Sequence, residues 1–138
     1  MSRIRGKNTK PELIVRRGLF ARGFRFRLHD HRLPGRPDLI LPKYRTAVFI
    51  NGCFWHGHSC HLFRKPSTNS EFWEIKIQRN RENDANNIAL LAATGWRVVT
   101  IWECAIRGKS EDAVSEVLDS LSTRLRELSS EGVYSFQD

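Results

Sequence analysis

The placement of cysteine and histidine constrains this 138-residue chain more than any other feature. Cys53, His58 and Cys60 lie in one short segment, and Cys104 is the third and last cysteine, far downstream. Zinc takes thiolate sulfur and imidazole nitrogen in tetrahedral sets of four, and a structural site leaves no position open for substrate. The count suits one such site. The segment 51–61, Asn-Gly-Cys-Phe-Trp-His-Gly-His-Ser-Cys-His, is too irregular for a helix or strand. A metal would hold it in shape while Cys104 ties it to distant chain. The competing expectation is ordinary buried thiols, since no paired C-x2-C is present, and His56 and His61 are alternative ligands. Three cysteines leave one over, and no secretory signal precedes them, which argues against disulfides.

Charge supplies the second constraint. Lys and Arg total 23 against 15 Asp and Glu, a formal charge of +8, which favours a polyanionic partner, nucleic acid ahead of an anionic membrane. Arg3, Arg5, Lys7 and Lys10 form a basic arm over 1–10, and Arg16, Arg17, Arg22, Arg25 and Arg27 follow closely, a clustering suited to phosphate contacts. The chain lacks an apolar stretch near the roughly 18 residues of a membrane span. A single soluble, intracellular domain over 1–138 is expected, with a C-terminal helix and tail over 109–138.

Thr9-Lys10-Pro11-Glu12 pairs an N-cap threonine and an early proline with a glutamate, so a helix is expected to about Arg22, ending at Gly23. Residues 24–28 alternate as a half-buried strand, and 29–37 is a polar loop. Strands 38–41 and 46–50 form a hairpin. A helix spans about 70–93 and ends at Gly95, then a strand covers 97–102. The last helix, about 110–128, buries Val114, Val117, Leu118, Leu121, Leu125 and Leu128. This order describes an α/β domain, a small mixed β-sheet flanked by helices.

Two carboxylates stand out. Asp38 opens a strand after Gly35-Arg36-Pro37; an aspartate at a sheet's edge can hold Mg²⁺, although such residues are commonly turn or cap groups. Asp84 shares a helix face with Trp73, Ile77, Ile88 and Leu91, and a carboxylate on an apolar stripe needs a partner. That partner is a buried arginine, or His56, with which it would make a general base. Phe54, Trp55 and Trp73 are aromatics that either pack as a miniature core or wedge between base pairs.

These residues carry a resemblance. Gly35-Arg36-Pro37-Asp38, the run from Val48 through Gly52-Cys53-Phe54-Trp55-His56 to Cys60, Glu71-Phe72-Trp73, and Gly95 to Gly108 resemble the very short patch repair endonucleases, bacterial enzymes that nick DNA beside T:G mismatches. The resemblance implies a restriction-endonuclease-like fold and a cytoplasmic, nucleoid-associated monomer acting on double-stranded DNA with a T:G mismatch, alongside other mismatch-repair proteins. It implies catalytic Mg²⁺ on Asp38 and the backbone carbonyl of Ile50, with Glu12 near the metal waters. His56 would be the base that activates water, with Asp84 orienting it. Zn²⁺ would be structural, on Cys53, His58, Cys60 and Cys104. Phe54, Trp55 and Trp73 would intercalate, with Arg3, Arg5 and Lys7 on the DNA backbone.

Two features depart from the family. In the active site the best-known members have histidine where this chain has Asn51, which cannot act as a base, and threonine where it has Ile50, which is harmless if only its carbonyl binds metal. The basic arm is shorter than usual, so Met1 marks a truncation or a shorter clamp. The competing functions are a restriction or homing-type endonuclease of the same fold with another target, and a non-catalytic, zinc-stabilised binder of distorted DNA.

Overall fold

A computed structural model describes residues 9–53, 58, 67–127 and 133–136. In chain order they form α1 (Lys10–Ala21), β1 (Arg27–Leu28), β2 (Leu39–Leu41), β3 (Thr46–Asn51), α2 (Ser70–Ala93), β4 (Arg97–Trp102), α3 (Glu111–Arg126) and β5 (Val133–Phe136). Short 3₁₀ turns at Pro42–Tyr44 and Glu103–Ala105 follow β2 and β4. The sheet runs β1-β2-β3-β4-β5, antiparallel across β1, β2 and β3 and parallel across β3, β4 and β5. This is the mixed sheet expected.

Alternation along the central strands builds a layer on each face. Leu39, Leu41, Val48, Val99 and Ile101 pack with Val15 and Leu19 of α1 and Leu118, Leu121 and Leu125 of α3. Ile40, Ala47 and Val98 point the other way, onto Leu91 of α2 with Ile88 and Trp96 at its margin. Arg97 falls on the α1/α3 face. Only 2% exposed, it bonds Thr46 Oγ1 at 3.1 Å and donates to the Arg124 and Leu125 carbonyls, both at 2.8 Å. A buried guanidinium thereby bonds two of the C-terminal carbonyls of α3.

Helix ends follow their local chemistry. Thr9 Oγ1 accepts from the Glu12 amide, Pro11 lies in the first turn, and Gly23 follows the C-cap at φ +92°. Ser110 caps α3 by accepting from Ala113 N at 3.1 Å. Gly95, at φ +90°, lies just past the C-cap of α2.

Three details differ from the expectation. The strand expected over 24–28 pairs only at Arg27 and Leu28, because the next residue beyond β2 is Pro42, which has no N–H to continue the ladder. Phe24 is instead buried and bonded through its amide to Leu19 O at 3.0 Å. The last helix ends at Arg126, Leu128 lies outside the described residues, and the expected tail contributes β5. Arg16 and Arg22 are drawn into intramolecular contacts, Arg16 with Glu12 and Arg22 with Asp119, Gly18 O and Ser115. Among the described residues no helix is long and apolar enough to cross a membrane.

Candidate active site and metal centre

Of the expected catalytic residues, Glu12 and Asp38 come together where β1 meets β2. The β1–β2 register pairs Leu28 with Leu39, so the next rung sets His29 opposite Asp38, and the His29 amide donates to Asp38 O at 3.1 Å. Asp38 Oδ2 accepts from the backbone N–H of Ile50 at 2.7 Å, which fixes the carboxylate against β3. Glu12 reaches in from the first turn of α1. Its carboxylate is 1% exposed, and Oε2 meets His29 Nε2 at 2.6 Å and Arg16 NH1 at 3.1 Å. The ligand atoms of Glu12, His29 and Asp38 all lie within 4.8 Å of one another.

The N-cap expected at Thr9 forms at the Glu12 amide, while the Glu12 carboxylate turns to His29 and Arg16. His29 was missed. It sits in a polar loop with no periodicity to mark it, and only the long-range β1–β2 register brings it to Asp38.

The loop that presents these groups carries backbone strain. His29 at φ +47° and Arg36 at φ +50° occupy the left-handed region, which non-glycine residues enter at a cost. Gly35, at φ +80°, is tightly enclosed: a Cβ there would stand 3.1 Å from Asn87 and from the Phe49 ring. Between them, Arg32 forks onto Asp30, Nε to Oδ1 at 3.0 Å and NH2 to Oδ2 at 2.9 Å, while its amide also donates. These hydrogen bonds from Arg32 hold the Asp30 carboxyl down at about 2.

A second cluster lies at the C-terminal ends of β3 and β4, neighbouring parallel strands. Cys53 and Cys104 are buried, and their sulfurs lie within 4.8 Å of the His58 ring nitrogen and of each other. Cys104 Sγ is 3.6 Å from His58 Nδ1. The His58 ring stacks on Trp102 at 4.1 Å, and its amide donates to Cys53 O at 2.9 Å. Glu103 accepts from the Cys53 amide at 3.2 Å and is itself held by Arg107 at 3.0 Å. Two buried thiols and an imidazole within one ion's reach are a donor set that fits zinc. The fourth expected ligand, Cys60, lies outside the described residues.

Other expected residues are placed less completely. Asp84 is half-buried on the α2 face that holds Ile77 and Leu91. Its expected partner His56 lies outside the described residues, as do Phe54, Trp55, His61, Arg3, Arg5 and Lys7. Asn51 ends β3, buried and in register with Trp102. Trp73 is half-buried and meets Phe72 edge-on at 5.3 Å, whereas Phe72 is 58% exposed and Ile75 56%. The first turns of α2 thus present apolar surface to solvent.

The family model described as DNA mismatch endonuclease Vsr matches residues 1–62. The chain is 47% identical over 110 residues to the type II nicking enzyme V.NmeAIP of Neisseria meningitidis, covering 80% of this chain and 79% of that one. It is 44% identical over 121 residues to the type II nicking enzyme V.XorIIP of Xanthomonas oryzae pv. oryzae, covering 86% and 89%. With the DNA mismatch endonuclease Vsr of Escherichia coli it shares 43% identity over 122 residues, 86% of this chain and 78% of that one. The mixed sheet fits the restriction-endonuclease-like fold, and these similarities define a DNA endonuclease, a hydrolase of phosphodiester bonds. The chain belongs to the very short patch repair, or Vsr, family of DNA mismatch endonucleases.

Proposed function

We propose that this chain nicks one strand of duplex DNA beside a T:G mismatch, acting as a monomer with Mg²⁺ at Asp38 and a structural zinc on Cys53, His58, Cys60 and Cys104. The observation that carries it is the Asp38 carboxylate, pinned by the Ile50 amide and flanked by Glu12 at the end of the sheet. Two carboxylates of this kind are oxygen donors of the sort that suit a hard cation, which usually also keeps waters and substrate phosphate oxygens.

Mg²⁺, when bound, neutralises charge that develops on the phosphate during hydrolysis. Asp38 and the Ile50 carbonyl would hold the cation, with the Glu12 carboxylate beside it. His56 takes the proton of the attacking water, and Asp84 orients the ring and stabilises its charged form. Asn51 serves as a neutral hydrogen-bonding group in the same site. Phe54, Trp55 and Trp73 enter the base stack, while Arg3, Arg5 and Lys7 contact phosphates. The exposed Phe72 beside Trp73 supports the presence of a DNA-facing apolar surface on α2.

The names of two relatives, both type II nicking enzymes, favour a second reading in which the chain nicks at a different target. Strand-labelled duplexes, matched and T:G-mismatched in varied contexts, decide between them with and without Mg²⁺. The proposal expects single-strand nicking beside T:G alone and only with the cation. Equal nicking of the matched duplex would support the second reading.

A further inference from the structure

We infer that His29, through Nε2, is a side-chain ligand of the divalent cation at Glu12 and Asp38, and that it makes this site favour Mn²⁺ over Mg²⁺. The inference rests on the reading of Asp38 as the anchor of that cation.

Donors around one octahedral ion, at bonds of about 2.1 Å, stand about 3 to 4.2 Å apart. The carboxylate oxygens of Glu12 and Asp38 and a ring nitrogen of His29 all fall within 4.8 Å, so the three enclose an ion-sized space. The 2.6 Å contact between Glu12 and His29 needs to open only slightly to admit an ion. His29 is also fixed in place: its φ is +47°, and its amide is bonded to Asp38 O. The ring is 23% exposed beside a carboxylate that is 1% exposed, so the space opens towards solvent on the histidine side.

The bland alternative makes His29 the counter-charge for buried Glu12. Arg16 already fills that role, since its guanidinium lies 3.1 Å from the same oxygen. The 2.6 Å contact holds one proton between Nε2 and Oε2, and a cation would take that proton's place. Imidazole nitrogen is a poor donor for Mg²⁺ but suits first-row transition metals, so the predicted consequence is a shift in metal preference.

The test uses the full zinc-loaded chain bound to a T:G duplex with a non-cleavable linkage, with Mn²⁺ as the probe. Pulsed electron paramagnetic resonance reads an imidazole-nitrogen coupling on bound Mn²⁺, and competition titration compares Mn²⁺ with Mg²⁺. The coupling should be present in the wild type, vanish in His29→Gln and persist in His56→Gln. Mn²⁺ affinity in His29→Gln should fall on the order of tenfold, the scale on which a lost metal-site contact acts, with Mg²⁺ affinity changed about twofold or less. No coupling in the wild type, or a coupling lost in His56→Gln, would overturn the inference, and neither result depends on the folding of the His29 variant. Asp38→Asn should abolish site-specific Mn²⁺ binding. Retained binding there would overturn the reading of Asp38, a result distinct from failure at His29.

Discussion

The His29 amide donates to the Asp38 carbonyl at 3.1 Å, one rung beyond the two-residue β1–β2 ladder. That bond joins the candidate cation anchor to a histidine from the opposite strand. It also places the Glu12 carboxylate, which contacts the histidine ring, beside the strand that carries Asp38.

The two metals should separate under chelation. A closed site with buried thiols holds its ion tightly, whereas a carboxylate site that keeps several waters releases it readily. Brief EDTA treatment should abolish nicking, and Mg²⁺ alone should restore it while metal analysis still finds one equivalent of zinc. Restoration by Zn²⁺ but not Mg²⁺ would reverse the roles. Cys104→Ser should lose zinc and melt at lower temperature, because Cys104 joins the end of β4 to His58.

Gly35→Ala should destabilise the chain by about 1–3 kcal/mol, the cost of forcing a side chain into a strained backbone region. Crowding adds to this, since the new Cβ would press on Asn87 and Phe49. Denaturant unfolding measures the loss. Because Gly35 sits three residues before Asp38, nicking should weaken more than DNA binding does.

Asp30 should titrate near 2 in the folded chain, held down by Arg32. Its folded value lies below the unfolded one, so the contribution to loop stability is complete above about pH 4 and is lost as pH falls towards the folded value. A carboxyl-detected NMR titration reads this. Arg32→Ala should return the midpoint to the ordinary aspartate range.

Trp73→Ala should narrow the preference for mismatched DNA. Unstacking a base step costs on the order of a few kcal/mol, and less at a wobble pair that is already easier to displace. The readout is the ratio of nicking rates on T:G and matched duplexes at one salt concentration. An unchanged ratio would leave Trp73 as a packing residue against Phe72.

Much of this was legible in the chain itself. Thr9, Gly23, Gly95 and the apolar stripe on α3 announced the helices because their determinants are local. Cys53, His58 and Cys104 could be grouped as one metal set because thiolate and imidazole have few other reasons to converge. β5 was invisible: its four residues form a strand by pairing with β4 from across the sequence. His29 was invisible for the same reason, since neither its neighbours nor its loop predicts Asp38 opposite it. Arg16 and Arg22 also contact acids and carbonyls within the chain, of which sequence alone carries no sign.

The central claim is that Asp38 directs phosphodiester cleavage rather than DNA binding. The measurement is single-turnover nicking of a labelled T:G duplex by Asp38→Asn in saturating Mg²⁺, with affinity measured on the same duplex. Cleavage should fall about a hundredfold or more, the scale of losing one preorganised charge contact at a reacting centre, while affinity changes about twofold or less. Nicking at the wild-type rate by a folded Asp38→Asn chain would contradict the account.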